Sequence, residues 1–220
     1  MEGRSRRMKE NINICITNMT KSYGEKLVFK DLNITIGSGK ITCVMAPSGA
    51  GKTTLLRIMM GIEKPDSGSI VGLSDQRFSA VFQEERLCED MTAIGNIRLV
   101  NPSLTPDRIR NELQRLGMHG SEKQPVSELS GGMRRRVSIL RALLAEYDVL
   151  FMDEPFKGLD SALKKDVIAY VLEKTRGKTV IVVTHDRGEA DLLQAEMIHL
   201  PTGLSGSIAE NADEEKKNEE

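Results

Sequence analysis

The stretch Ala46-Pro47-Ser48-Gly49-Ala50-Gly51-Lys52-Thr53 sets small residues, an ammonium and a hydroxyl in an order suited to phosphate chemistry. It follows the apolar run Ile41 to Met45 and leads into Thr54 to Met60, which reads as a helix. Strand, tight loop and helix form the context a phosphate-cradling loop requires. The backbone N–H groups of such a loop point inward, and the helix N-terminus adds its dipole and unpaired donors. Lys52 supplies a positive charge to the outer phosphates, and Thr53 is placed to give its hydroxyl to Mg2+. The chain is therefore expected to bind a nucleoside triphosphate. Ala46 stands where glycine is usual; a negative φ there makes the change harmless, whereas its Cβ resists a positive one.

Two later segments carry the rest of the chemistry. Val149 to Met152 is an apolar run ending in Asp153-Glu154. A buried strand fixes both carboxylates in space, so Asp153 can hold Mg2+ through water while Glu154 polarises a water for attack on the γ-phosphate. Leu129-Ser130-Gly131-Gly132-Met133 precedes a helical pattern, with Ser130 as N-cap and Gly131-Gly132 open to close backbone approach. That helix start is a second anion site. One nucleotide does not need two such sites in one chain; two copies placed head to tail would share them.

The elements that must position these groups follow from pattern. Ile12, Ile14 and Ile16 alternate with polar or small residues, as does Leu32 to Ile36, which suggests half-buried strands. Short strands are expected around Ile70 and from Ser79 to Phe82. Ile94, Ile97, Ile109, Leu113 and Leu116 recur at helix spacing between Met91 and Gly117, interrupted by Pro102 and Pro106. Met133, Val137, Leu140 and Leu144 line one face of a further helix, and Arg134, Arg135 and Arg136 read as its solvated start. Another helix covers about 161 to 175, followed by the apolar strand Thr179 to Val183. Continuous apolar strands between helices predict an α/β fold with a mainly parallel sheet covered on both faces.

Composition bounds the alternatives. The chain has 220 residues, 39% of them hydrophobic, enough for one large α/β domain. A formal charge of −1 provides no general attraction to nucleic acid or anionic lipid. Residues 1–10 form a basic tail and 206–220 a charged one, both expected to be disordered. Cys15, Cys43 and Cys88 make no metal-binding spacing, and Cys15 and Cys43 read as small buried hydrophobes of a reducing compartment. No signal peptide is evident, and the apolar runs are far shorter than the roughly 20 residues that span a bilayer. Any membrane role must then come through a partner.

Taken in order, Ala46 to Thr53, Gln83, Leu129 to Met133, Asp153-Glu154, Gly158-Leu159-Asp160 and His185 resemble the ATP-binding cassette ATPases, over about residues 11 to 200. Phe82 to Leu87, Asp153 to Phe156 and Thr184 to Ala190 are similar to importer subunits of the nitrate, sulfonate and taurine branch. The resemblance implies one domain over 11–205, built as a P-loop NTPase core with a small antiparallel β subdomain and a helical subdomain at about 88–146. It implies ATP and Mg2+ as cofactors. Ala46, Pro47, Ser48, Gly49, Ala50, Gly51, Lys52, Thr53 and Thr54 would cradle the phosphates, and Tyr23 would stack on the base. Thr53, Gln83 and Asp153 would surround the metal. Glu154, His185, Gln83 and Lys52 would serve hydrolysis. Ser130, Gly131, Gly132 and Asp160 would complete the site of a second copy. Implied partners are a twin or related ATPase, integral membrane permease subunits and an external solute-binding protein, with no nucleic acid, at the cytoplasmic side of the membrane. Met133 and Lys157 depart from the family's usual residues. A cassette ATPase acting on a macromolecule, a small-molecule kinase and a binding module without turnover are the rival readings.

Overall fold

The structure, a computed structural model, describes residues 13–201. Ile12, the basic tail and the charged tail lie outside the described residues. Two sheets organise the rest. The smaller is antiparallel, with β1 (Ile14–Tyr23) between β2 (Lys26–Ile36) and β4 (Ser67–Val71). Both β1 and β2 are longer than their alternation suggests. Register shifts between Ile16 and Ser22, with Asn18 and Asp31 at φ 49, break the period of two while hydrogen bonding continues past them. A two-residue loop joins the strands, with Gly24 at φ +58. Cys15 is half-buried on the face away from Ile14 and Ile16, so it is not the core residue expected; Cys43 is fully buried.

The larger sheet has the order β5 (Phe78–Val81), β6 (Val149–Asp153), β7 (Thr179–Thr184), β3 (Ile41–Met45) and β8 (Glu196–His199), and every neighbouring pair is parallel. Every residue of β6 and β7 is buried, which is why both read as unbroken apolar runs. Val44, Phe151, Ile181 and Val183 point to one face. There they meet Leu32, Ile34 and Ile36 of the antiparallel sheet and Leu55, Leu56 and Met59 of α1 (Lys52–Met59). Cys43, Leu150, Met152, Val180 and Val182 point to the other face, into a core shared with α2 (Ala93–Val100), α3 (Pro106–Arg115), α4 (Gly131–Leu144) and α5 (Ser161–Lys174). Burying a side chain of this size contributes about 1.5–3 kcal/mol.

Pro106 does not interrupt α3 but opens it, at a position where its missing N–H costs nothing. Two elements gave no pattern. The helix α6 (Arg187–Leu192) is under two turns, and β8 is a mostly exposed edge strand placed by its pairing with β3. Side chains cap five of the helices: Thr92, Thr105, Ser130, Asp160 and Asp186 each accept a backbone N–H of the first turn. Among the α-helices of the described residues the exception is α1, which starts at Gly51 with no side-chain cap. Among the described residues no helix is long and apolar enough to cross a membrane.

Candidate nucleotide site

Parallel pairing gathers the chemistry at one sheet edge. Met45 lies opposite Thr184, Asp153 opposite Val183 and Val81 opposite Met152. The loop after β3, the carboxylates ending β6, His185 after β7 and Gln83 after β5 therefore emerge together, at the C-terminal ends where such sheets bind ligands.

In the loop, Gly49 has φ +80 and Gly51 φ +90. A Cβ on Gly51 would lie 2.4 Å from Val28 Cγ1 and 2.7 Å from Phe29 Cζ, so glycine is needed there for backbone and space alike. Ala46 has no such demand: it is buried, and it is not among the residues with positive φ. The Lys52 ammonium donates to the carbonyls of Ala46, at 2.7 Å, and Pro47, at 3.1 Å, and lies 3.7 Å from Glu154 Oε1. Thr53 Oγ1 donates to Asp153 Oδ2 at 2.7 Å. Burial, helped by the charge of Glu154 and opposed by the Thr53 hydrogen bond, pushes the Asp153 carboxyl above its ordinary range. Glu154 has φ 42, in the left-handed region, while its N–H donates to Val183 O at 2.9 Å. Such strain in a residue other than glycine gathers at working sites. His185 Nδ1 lies 3.1 Å from Glu154 Oε1. Thr184 Oγ1 donates to the buried Glu189 at 2.7 Å and accepts from Asp186 N, which fixes the turn that carries the imidazole.

A cleft of about 260 Å³ opens over these groups. Of the expected residues, Ser48, Gly49, Gly51, Lys52, Thr53 and Thr54 line it, facing Gln83, Asp153 and Glu154. Ala46, Pro47 and Ala50 complete the loop without lining the cleft. Tyr23 stands at the rim, 46% exposed, with its hydroxyl 3.5 Å from Thr54 Oγ1. Ser130, Gly131, Gly132 and Asp160 do not line it. Ser130 Oγ accepts from Met133 N at 3.3 Å, and Asp160 Oδ1 from Leu163 N at 3.0 Å, so each caps its own helix.

The solvated helix start is corrected. Arg135 is 3% exposed, and Arg136 is also buried. The Arg135 guanidinium donates to the carbonyls of Phe82, Gln83, Asp153, Glu154 and Pro155. One planar fork thus ties the segment bearing Gln83 to the end of β6. Burial lowers the pKa of the group, and nearby carboxylates oppose the shift. Arg136 Nη1 donates to Leu116 O at 2.7 Å and joins α4 to the end of α3. The missed signal was Ile139, Ala142 and Leu143: with Val137 and Leu140 they make α4 apolar almost all round, which draws the arginines before them inside.

Comparison with known proteins agrees with this geometry. Residues 29–157 match the family described as ABC transporter. The thiamine import ATP-binding protein of Brucella abortus biovar 1 is 37% identical over 89% of this chain and 88% of its own length. The sulfate/thiosulfate import ATP-binding protein of Synechocystis is 34% identical over 87% of this chain, but the match spans 59% of that longer protein. Among solved structures, a dimeric bacterial ABC transporter cassette superposes with a TM-score of 0.72 at 29% identity, covering 85% of this chain and 94% of that one. A post-hydrolysis state of that cassette, bound to ADP and Pi, gives the same TM-score. By its sequence match, its fold and the groups gathered at one sheet edge, the chain belongs to the ABC transporter family and carries that family's ATPase domain.

Proposed function

We propose that this chain binds and hydrolyses ATP as the nucleotide-binding subunit of a transporter, working through separate permease subunits in the membrane. The observation that carries the reading is the meeting of Lys52, Thr53, Gln83, Asp153 and Glu154 around one cleft, with His185 hydrogen-bonded to Glu154, from four strand ends. In this reading, Lys52 leaves its loop carbonyls for the outer phosphates, and the uncapped start of α1 presents its N–H groups to the same charge. Thr53, Asp153 and Gln83 each carry a side-chain oxygen that can ligate a metal, and a buried carboxyl beside a hydroxyl suits a hard divalent cation such as Mg2+. That ion would offset negative charge on the phosphates. Glu154 takes a proton from a water whose oxygen attacks the γ-phosphorus; the bond to the bridging oxygen breaks, and ADP and phosphate leave. His185, hydrogen-bonded to Glu154, orients the γ-phosphate.

Ser130, Gly131, Gly132 and Asp160 would act on the site of a second copy, since they lie away from their own cleft; a solved relative is a dimer. Tyr23 at the rim would stack on the base. Helices α2 and α3 with the start of α4 would form the helical subdomain of residues 88–146, docking on the permease near Gln83 at the cytoplasmic face.

Import is the direction named for the relatives carrying thiamine, sulfate and polyamines. The finer nitrate, sulfonate and taurine reading rests on Phe82 to Leu87, Asp153 to Phe156 and Thr184 to Ala190, and on 32% identity to an aliphatic sulfonates relative from Rhodococcus jostii. The solute is selected by the permease and by an external binding protein. Phosphate release with MgATP alone tests the core claim. Glu154→Gln is expected to keep ATP binding and lower turnover by at least about a hundredfold. Lys52→Ala is expected to lose affinity for ATP; unchanged binding would refute the phosphate-loop role.

A further inference from the structure

Glu154 has nitrogen groups against both of its oxygens. Its Oε1 faces His185 Nδ1 at 3.1 Å and Lys52 Nζ at 3.7 Å. Its Oε2 faces Lys157 Nζ at 3.8 Å. The first two contacts belong to the proposed hydrolysis, but the third has no part in it. Lys157 follows three residues later, on the turn after β6, and its side chain is 62% exposed while the Glu154 carboxylate is only 14% exposed. Lys157 also lines the cleft beside Thr53, Gln83 and Asp153. A second ammonium, carried by the turn after β6, therefore reaches the nucleotide cleft.

The sign of its effect follows from charge. Lys52 has an alternative partner once phosphates arrive, so it can release Oε1. Lys157 is paired with Oε2, the oxygen that Lys52 does not face. As Glu154 takes a proton from water, the attraction between that carboxylate and Lys157 is lost. The contact is therefore stronger before reaction than during it, and an interaction of that kind raises the barrier. We infer that Lys157 is a restraint on Glu154: a positioning residue that holds the water-polarising carboxylate aside and slows ATP hydrolysis. This inference rests on the role proposed for Glu154.

The test is phosphate release by the full chain across a range of MgATP concentrations. Lys157→Met and Lys157→Ser remove the charge with two different side chains at an exposed position, where folding is not at stake. An exposed ion pair of this kind corresponds to a rise in kcat of about two- to fivefold, with KM for MgATP unchanged. Lys157→Arg keeps a cation and is expected to retain the parental rate. A fall in kcat or a rise in KM in the Met and Ser variants would show that the ammonium serves the nucleotide and would overturn the inference. An unchanged kcat in both would make Lys157 an idle surface residue and would overturn it equally. Adding Glu154→Gln to each variant separates the two readings: turnover that survives it removes Glu154 from its role, whatever Lys157 does.

Discussion

Arg135 shows how one side chain can hold a site that it never enters. Its five carbonyl partners come from the two segments that carry Gln83 and Glu154. Replacing it with Met leaves those carbonyls short of donors in a buried place, at a cost of about 1–3 kcal/mol. A second effect is expected on catalysis. The carboxylate and the glutamine lose their common anchor, and a misplacement near 1 Å lowers rates by about a hundredfold. Arg135→Met should therefore lower kcat by about that factor under conditions where melting curves show the variant fully folded. Arg135→Lys should recover little, because one ammonium cannot reproduce a planar fork of donors. A folded variant that turns over at the parental rate would contradict the anchoring role.

At the scale of elements, α3 and α5 are joined by a polar clasp. Glu112 accepts from Tyr170 Oη at 2.7 Å and from Lys174 Nζ at 2.6 Å, and it pairs with Arg115. Burial alone would raise the pKa of the Glu112 carboxyl; the two hydrogen bonds and the charges of Lys174 and Arg115 outweigh it and hold the group below its ordinary 4.5. A lowered carboxyl stabilises the fold above its unfolded value and loses that contribution as pH falls through the folded one. Glu112→Gln should thus destabilise at neutral pH, and melting curves of variant and parent should converge as pH drops below about 4.5. A gap that stays constant with pH would exclude the charge as its source. Patterning located β6 and β7 because burial on both faces leaves an unbroken apolar run. It shortened β1 and β2 because bulges reset the phase, and it missed α6 and β8, which hold too few residues to show a period. The phosphate loop and the carboxylates were legible because their residue types have few other uses at that spacing. The burial of Arg135 was hinted at only by the apolar residues around α4, and its main-chain carbonyl partners left no trace in the side-chain pattern.

For the whole molecule, the five parallel strands place every reactive group on one rim, whereas Ser130 and Asp160 face elsewhere. In the function proposed above, a second chain brings its own Ser130 and Asp160 to this rim. Glu154→Gln with ATP should weigh as two chains in solution and as one without nucleotide; single chains at every concentration, with permease present as well, would refute the shared site. The loop's own hydrogen bonds also have a consequence for how nucleotide is taken up. Lys52 is already satisfied by the carbonyls of Ala46 and Pro47, and Thr53 by Asp153. These internal contacts brace the cradle. Association then exchanges a few bonds in place instead of folding a slack segment, so its entropy cost falls mainly on the nucleotide.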